Sequence, residues 1–147
     1  MEKPISPGLR NTFLIHLVIA GVLGLSFWLV PGRTLAVFGL TQQWVRLPES
    51  GMQIPGGTFV NPFIVRLFGA ALLALAFSSF IAWRAKEWPA IKALVQLETV
   101  FCVLGAIATA YFAFVVWGSI PIITWIAFVL LVAFALAWGF ALKRAPA

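Results

Sequence analysis

Four long runs of apolar residues dominate the chain, and short segments rich in proline, glycine and charge separate them. At a helical rise of about 1.5 Å per residue, about 20 apolar residues cross the ~30 Å hydrocarbon core of a bilayer. The runs predict transmembrane helices over residues 12–30, 63–83, 90–117 and 121–142. Because lipid offers the backbone no hydrogen-bond partners, spanning segments of this kind are helical. We therefore expect an all-α fold, a membrane-embedded up-and-down bundle of four transmembrane helices in a single domain.

The composition supports this assignment and excludes an ordinary soluble globule. Hydrophobic residues make up 63% of the 147 residues and charged residues only 10%, against about 25% charged in soluble domains. The net charge of +6 is spread over single or paired basic residues at the ends of the apolar runs. Since these residues form no continuous basic face, we expect the surface to contact the lipid bilayer and no nucleic acid. The first run exceeds the ~7–15 residues of a signal-peptide core, so we interpret it as a retained helix.

The basic residues also predict the orientation, because basic residues beside membrane spans are retained on the cytoplasmic side. One side of the predicted bundle holds Lys3, Arg10, Arg84, Lys86, Lys92, Lys143 and Arg144. The other side holds Arg33, Arg46 and Arg66. We therefore expect an integral protein of a bacterial inner (cell) membrane, with both termini cytoplasmic and residues 31–62 forming an extracytoplasmic loop.

The first loop is unusually long for a connection between helices. Its first part predicts a short interfacial helix with Leu35, Phe38 and Leu40 toward lipid, and turn-forming residues follow it. The loop is either a cap over the bundle or a surface for a ligand or partner. The tryptophans fall mostly near the predicted span ends, where an indole usually lies in the headgroup layer.

Small residues four positions apart predict contact faces, because helices in lipid associate where their backbones approach closely. The residues that fit are Ala20 and Gly24, Ala70 and Ala74, Ala106 and Ala110, and the series Ala133, Ala137 and Ala141. We expect them to pack within the bundle. The series on the last helix could instead serve an oligomer or a larger complex.

Two ionisable side chains, His16 and Glu98, fall well inside predicted spans, where such groups are costly and are candidates for function. Counted from the predicted inner ends, they lie about 7 Å and about 12 Å deep. Ser78, Ser79 and Gln96 lie at a comparable depth, so the five residues predict one polar layer. Such a layer either handles protons, binds a quinone or polar lipid headgroup, or is an interhelical hydrogen-bond staple.

Arg66 lies only about 5 Å inside the outer end of its predicted span, too far from Glu98 for a salt bridge. Its long side chain can extend to lipid phosphate or to the loop, where Glu49 is the acidic residue on that side. We expect Arg66 to anchor the loop, with an anionic ligand as the alternative.

Several kinds of chemistry are excluded by the residues present. One histidine cannot supply two axial haem ligands, and one histidine with Cys102 cannot form a tetrahedral zinc site, so we expect no metal. Phosphate-binding and dinucleotide motifs are absent from the sequence, and no serine has the partners of a catalytic nucleophile. We therefore expect no catalytic residues and no self-sufficient enzyme.

Three segments of the first half carry a resemblance to a known group: FWLVPG at residues 27–32, VFGL at residues 37–40 and VRLFGAALL at residues 65–73. In this order they resemble the small bacterial four-helix membrane proteins called DoxX-like. The resemblance covers about half of the chain, and the later spans share only hydropathy and length with that group. It implies an accessory membrane subunit that works with quinone-linked redox partners, and it transfers no catalytic residue.

These observations predict a non-catalytic accessory or scaffold subunit of a larger membrane assembly, with other membrane subunits or further copies of the chain as partners. The first alternative is a redox component that uses His16 and Glu98 beside a quinone or another cofactor. The second alternative is a small proton-coupled transporter. The sequence does not identify a cofactor, and a quinone or a lipid is the candidate bound molecule.

Overall fold

The structure is a computed structural model that describes residues 4–40, 44–46, 53–55, 61–111, 113–114 and 121–144. Its elements are α1 (Pro7–Leu29), α2 (Pro31–Val37), β1 (Trp44–Arg46), β2 (Gln53–Pro55), α3 (Pro62–Arg84), α4 (Lys92–Tyr111) and α5 (Ile122–Lys143). The helices α1, α3, α4 and α5 are long and apolar enough to cross a membrane. The expected all-α bundle is thereby confirmed, and the chain is an integral membrane protein in contact with lipid.

The helix starts follow local capping chemistry more closely than hydropathy. Helix α1 begins at Pro7, ahead of the predicted span at residue 12, because the Ser6 side chain accepts a hydrogen bond from the Leu9 N–H at 3.3 Å. Helix α3 begins at Pro62 in the same way, with the Asn61 side chain accepting from the Phe63 N–H at 2.9 Å. The predicted end of the third span, at residue 117, lies outside the described residues.

The short helix expected in the first loop is α2, but its orientation differs from the prediction. Leu35 is 2% exposed and packs with Phe27, so the expectation that it faces lipid is wrong. Phe38 lies against Phe27 with a ring separation of 5.4 Å, and Leu40 packs on the same cluster. The Thr34 hydroxyl donates to a carbonyl in the last turns of α1 at 2.8 Å. This bond folds α2 back over the bundle.

The described parts of the loop also contain a hairpin that the sequence did not predict. Strands β1 and β2 pair antiparallel, with Val45 opposite Ile54. The hairpin belongs to the connection between α2 and α3, so it leaves the all-α character of the membrane domain unchanged.

The spanning helices form two pairs, α1 with α3 and α4 with α5. At the end of the bundle that holds both termini, the pairs share a core of Phe13, Ala82, Ile91, Val95, Cys102, Phe134 and Trp138. At the opposite end, the buried cluster comes from α1, α2 and α3 only, and consists of Phe27, Leu35, Val65, Leu72 and Leu75. The four spanning helices therefore share a buried core at the terminal end, whereas at the other end the start of α5 meets the segment that follows α2, where Thr124 bonds to the Phe38 carbonyl.

Trp138 departs from the expected headgroup location. It is fully buried and packs on Phe13 with a ring separation of 4.7 Å, whereas Trp28 and Trp83 are exposed as expected for span ends. The reason is that Trp138 lies one turn after Phe134 on the face of α5 that packs into the shared core.

Helices α1 and α3 approach most closely where Gly24 meets Gly69. A Cβ atom at Gly69 would lie 2.7 Å from the Trp28 backbone nitrogen and 2.9 Å from the Gly24 carbonyl oxygen. The predicted partners on α3, Ala70 and Ala74, are instead exposed. Each helical position turns by about 100°, so the contact face that contains Gly69 points Ala70 away from α1.

This contact predicts a large effect of one added methyl group. The variant Gly69→Ala forces the two backbones apart, and we expect it to lower the free energy of unfolding by roughly 1–3 kcal/mol. Denaturation of the purified protein in mixed detergent and SDS micelles measures the change. Gly139→Ala is the matched control, because a Cβ there has no atom within 4 Å. It should be neutral or stabilising by up to about 1 kcal/mol, and equal losses in both variants would contradict the close contact.

Candidate functional site

Three helices bring polar side chains together in the middle of the bundle. The Nδ1 atom of His16, on α1, lies 2.8 Å from the hydroxyl oxygen of Ser79, on α3. The Nε2 atom of His16 lies 3.4 Å from Oε2 of Glu98, on α4, which is at ion-pair distance. The Ser79 hydroxyl is also 3.4 Å from Oε1 of Glu98. His16 is 5% exposed and the other two are fully buried, so the three groups form a closed triangle.

The structure places the other two predicted members of the layer differently. The Ser78 hydroxyl lies 3.2 Å from Oε1 of Glu98 and 2.8 Å from the Leu75 carbonyl oxygen, so it borders the triangle. Gln96 is exposed and does not join it. Glu98 shares the inward face of α4 with Val95, and a position two residues away is turned by about 200°.

The hydrogen atoms in the triangle can be arranged in two ways. If the Ser79 hydroxyl donates to Glu98, then His16 must donate from Nδ1 to Ser79. If Ser79 donates to Nδ1 instead, the other ring nitrogen of His16 carries the hydrogen. In both arrangements one further proton on His16 or Glu98 leaves the pair without net charge. Because an unbalanced charge is costly in lipid, the state that holds this proton is favoured in either arrangement.

Aromatic rings close the triangle on the side of the termini. The His16 ring packs edge-on against Phe134 at 4.8 Å and Trp138 at 5.9 Å. Both ring nitrogens of His16 already face polar partners. In this arrangement the site joins three helices and offers no free nitrogen to a reacting molecule.

On the other side of His16 lies an apolar cleft between the two helix pairs, with a volume of ≈ 610 Å³. Its wall on α1 extends from His16 to Phe27, about 16 Å at the rise of an α-helix, or half of a ~30 Å hydrocarbon core. Its other walls include Phe68 and Leu72 on α3, Phe101, Leu104, Gly105 and Ala108 on α4, and Ala127, Leu130, Leu131 and Phe134 on α5.

The polar groups in this wall are few and already paired. The Thr109 hydroxyl donates to the Gly105 carbonyl at 2.8 Å, and the Thr124 hydroxyl donates to the Phe38 carbonyl at 3.3 Å. Among the described residues that line the cleft, His16 is the only one with an imidazole, carboxyl or basic group. The cleft is therefore suited to hydrocarbon and unsuited to a polar solute.

Arg66, which was predicted to anchor the first loop, bonds to α1, and the small residues predicted to pack between helices differ in burial. Arg66 donates from Nε to the Trp28 carbonyl at 3.3 Å, which ties the start of α3 to the end of α1, and Glu49 lies outside the described residues. Ala20 and Ala106 are buried. The remaining predicted packing residues are Ala110, Ala137 and Ala141, which are half-buried, and Ala133, which is exposed.

Sequence reasoning did not identify the cleft. Its walls consist of ordinary apolar residues, which look the same in the sequence whether they face lipid, a neighbouring helix or a cavity. The small residues Gly105, Ala108 and Ala127, which keep the space open, are the available signal, but similar residues recur along every span.

The triangle makes a prediction about stability. We expect Ser79→Ala to lower the free energy of unfolding by about 1 kcal/mol, because it leaves His16 Nδ1 buried without its partner. Ser26→Ala is the control, since that exposed hydroxyl bonds only to the Val22 carbonyl of its own helix. The same detergent denaturation measures both variants. A Ser79→Ala protein as stable as the Ser26→Ala protein would show that the triangle contributes nothing to stability.

Comparisons of the chain with protein-family models, curated proteins and solved structures find no match. The resemblance of the first half to DoxX-like proteins therefore stays a prediction. The triangle, the cleft and the unequal number of basic residues at the two ends of the bundle are the features from which a function can be inferred.

Proposed function

We propose that this chain is a non-catalytic subunit of a membrane assembly and holds an elongated apolar lipid, an isoprenoid or acyl chain, in the cleft between its two helix pairs. The cleft is the observation that carries the proposal. Its volume of ≈ 610 Å³ lies within the ~300–1,000 Å³ usual for small-molecule sites. Its length of about half a bilayer suits a hydrocarbon chain that runs parallel to the helices.

The position of the cleft favours a molecule that enters from the bilayer. Phe68 on α3 and Leu104 on α4 both line the cleft and are 45% and 60% exposed, so it reaches the lipid-facing surface between these helices. Helices α3 and α4 make few contacts with each other. The hydrogen bonds between these helices in the described residues are those of Ser78 and Ser79 with Glu98, so a lipid chain that enters between Phe68 and Leu104 breaks none of them.

The absence of catalysis is supported by the state of the polar triangle. His16 and Ser79 are hydrogen-bonded, and Glu98 lies against both of them, which suits an interhelical staple. Membership of an assembly is supported by Ala70 and Ala74, which are exposed on α3 and so are not used within the bundle. Small residues on a lipid-facing helix allow close approach of another membrane helix.

A second candidate function is a redox component that binds a quinone, because the His16 ring is part of the cleft wall. A quinone ring at the deep end of the cleft would lie beside His16, which is 3.4 Å from Glu98. Reduction of that ring to a quinol would take two electrons from a redox partner and two protons, so the pair would pass one proton to the ring and be reprotonated before it passed the second. The role requires His16 to release Ser79 or Glu98 when the ring binds.

We further propose that the protein lies in a bacterial cell membrane with its termini in the cytoplasm. Among the described residues, the terminal end carries Arg10, Arg84, Lys86, Lys92, Lys143 and Arg144. The opposite end carries Arg33, Arg46 and Arg66. This asymmetry supports the proposed orientation under the rule that basic residues stay inside.

A substitution that fills the cleft tests the main proposal. Ala127 is half-buried and lines the cleft, so we expect Ala127→Phe to exclude most of the ligand that co-purifies with the wild type in digitonin. Ala133→Phe places the same ring on the exposed face of the same helix and should retain it. Native mass spectrometry counts the bound molecules. Equal retention by both variants, or a wild type without bound lipid, would refute the proposal.

The identity of the extracted molecule separates the two candidate functions. A phospholipid or a quinone that stays bound in His16→Ala supports the holding role alone. A quinone that is lost from His16→Ala but kept by the Ala133→Phe control supports the redox role. Partner subunits in the same spectra report the proposed assembly.

Labelling with a membrane-impermeant maleimide tests the orientation. Gly32 has open space for a side chain and Ala90 is exposed, so cysteine fits at either position. We expect Gly32→Cys to react in intact cells and Ala90→Cys to react only in inverted vesicles. The wild type is the unlabelled control, because Cys102 is buried. The reverse pattern would show that the termini face outward.

A further inference from the structure

A second cavity lies at the terminal end of the bundle, beyond the shared core and away from the cleft. It has a volume of ≈ 460 Å³ and is formed by the first turns of α1, the last turns of α5 and the segment that precedes α4. The residues around it include Pro4, Ser6, Gly8, Leu9, Thr12, Trp88, Ala137, Phe140, Ala141 and Arg144. Unlike the cleft, this cavity has hydrogen-bond donors and the positively charged side chain of Arg144 beside its apolar residues.

Trp88 borders this cavity, and its indole is an unsatisfied donor. Trp88 is 8% exposed and lines the cavity, and its Nε1–H is buried without a hydrogen-bond partner in the described residues. Buried donors in folded proteins are nearly always paired, and an unpaired one costs about 1–3 kcal/mol. An acceptor that enters the cavity would remove this cost.

The start of α1 supplies a second free donor. Pro7 has no N–H, while the N–H groups of Leu9 and Arg10 bond to the side chain and the carbonyl of Ser6. The N–H of Gly8, which lines the cavity, is left without an intrahelical partner. Because the helix dipole places partial positive charge at this end, the preferred acceptor is an anion.

The charge around the cavity favours an anion as well. Arg144 lies in its wall, and Arg10, Lys86 and Lys143 are on the same end of the bundle. Glu87 is the acidic residue at this end among the described residues, and it already interacts within the chain. The local balance is therefore positive.

The remaining wall is apolar and continues along the membrane-facing side of α5. Ala137 and Phe140 line the cavity, and Phe140 is 58% exposed. Leu9 lies across from them on α1. A ligand with an anionic head and a hydrocarbon chain matches this combination, because its head meets the donors while its chain follows α5.

We propose that this cavity is a binding site for an anionic phospholipid. The lipid phosphate accepts hydrogen bonds from the Trp88 indole and the Gly8 N–H and pairs with the Arg144 guanidinium. One acyl chain packs along Ala137 and Phe140. The site would draw its lipid from the leaflet beside the termini, and it is independent of the ligand proposed for the cleft.

Titration with dioleoyl phosphatidylglycerol, followed by native mass spectrometry and thermal unfolding of the detergent-purified full chain, tests the proposal. We expect Trp88→Phe, which keeps the ring and removes the N–H, to bind this lipid about tenfold more weakly. Trp83→Phe is the matched control, because that indole is exposed at the same end of the bundle and should bind like the wild type.

Arg144→Gln provides a second test that does not disturb the core, since Arg144 is exposed. It should also weaken binding about tenfold, whereas Arg84→Gln, outside the cavity, should not. Equal binding by the Trp88→Phe and Trp83→Phe proteins, or by the two arginine variants, would overturn the site. Dioleoyl phosphatidylcholine that binds as tightly would overturn the anionic preference. Inorganic phosphate alone that stabilises the protein equally would assign the site to free phosphate and overturn the lipid.

Discussion

The polar triangle of His16, Ser79 and Glu98 is the interaction on which the arrangement of the bundle depends. Helix α1 packs tightly on α3, and α4 packs tightly on α5, but contacts between the two pairs are sparse. The triangle crosses that gap with three polar groups from α1, α3 and α4. Apolar packing alone gives little preference for one relative position, because lipid tails are as apolar as leucine. Polar groups that find partners in only one arrangement do give that preference.

The triangle also divides the space between the pairs into two regions. Toward the termini, Phe13 and Trp138 fill the interior with aromatic rings and exclude water from the polar groups. Toward the other end, a cleft lies between the two helix pairs, and it begins directly at the His16 ring. The polar triangle and the cleft therefore result from the same geometry. The triangle holds the two helix pairs together at the level of His16, and a space can remain between them beyond that level.

Hydropathy was enough to predict the four spans and the starts of α3, α4 and α5 to within two residues, but α1 begins five residues early because Ser6 caps it. The depth of His16 and Glu98 was enough to predict that they share one polar layer. The choice of helix face was harder to predict. Small residues are so frequent that Ala70 and Gly69 fit the same rule, and a shift of one position turns the side chain by about 100°. The same difficulty explains why Gln96, which was predicted to join the polar layer, is instead exposed on α4. The cavities depend on distances between helices, which hydropathy does not encode.

The cleft and the terminal cavity differ in the residues that line them, because they lie on opposite sides of the polar triangle. The cleft lies between the apolar faces of the two helix pairs, so its walls are apolar and suit hydrocarbon. The terminal cavity lies beyond the shared core, where α1 begins and α5 ends, so helix-end N–H groups and basic side chains are exposed to it. Trp88 lies between the shared core and the terminal cavity. Its ring packs in the core, and its N–H has no hydrogen-bond partner among the described residues. An occupant of the terminal cavity would therefore stabilise the same core that holds the two helix pairs together, and so would indirectly support the cleft.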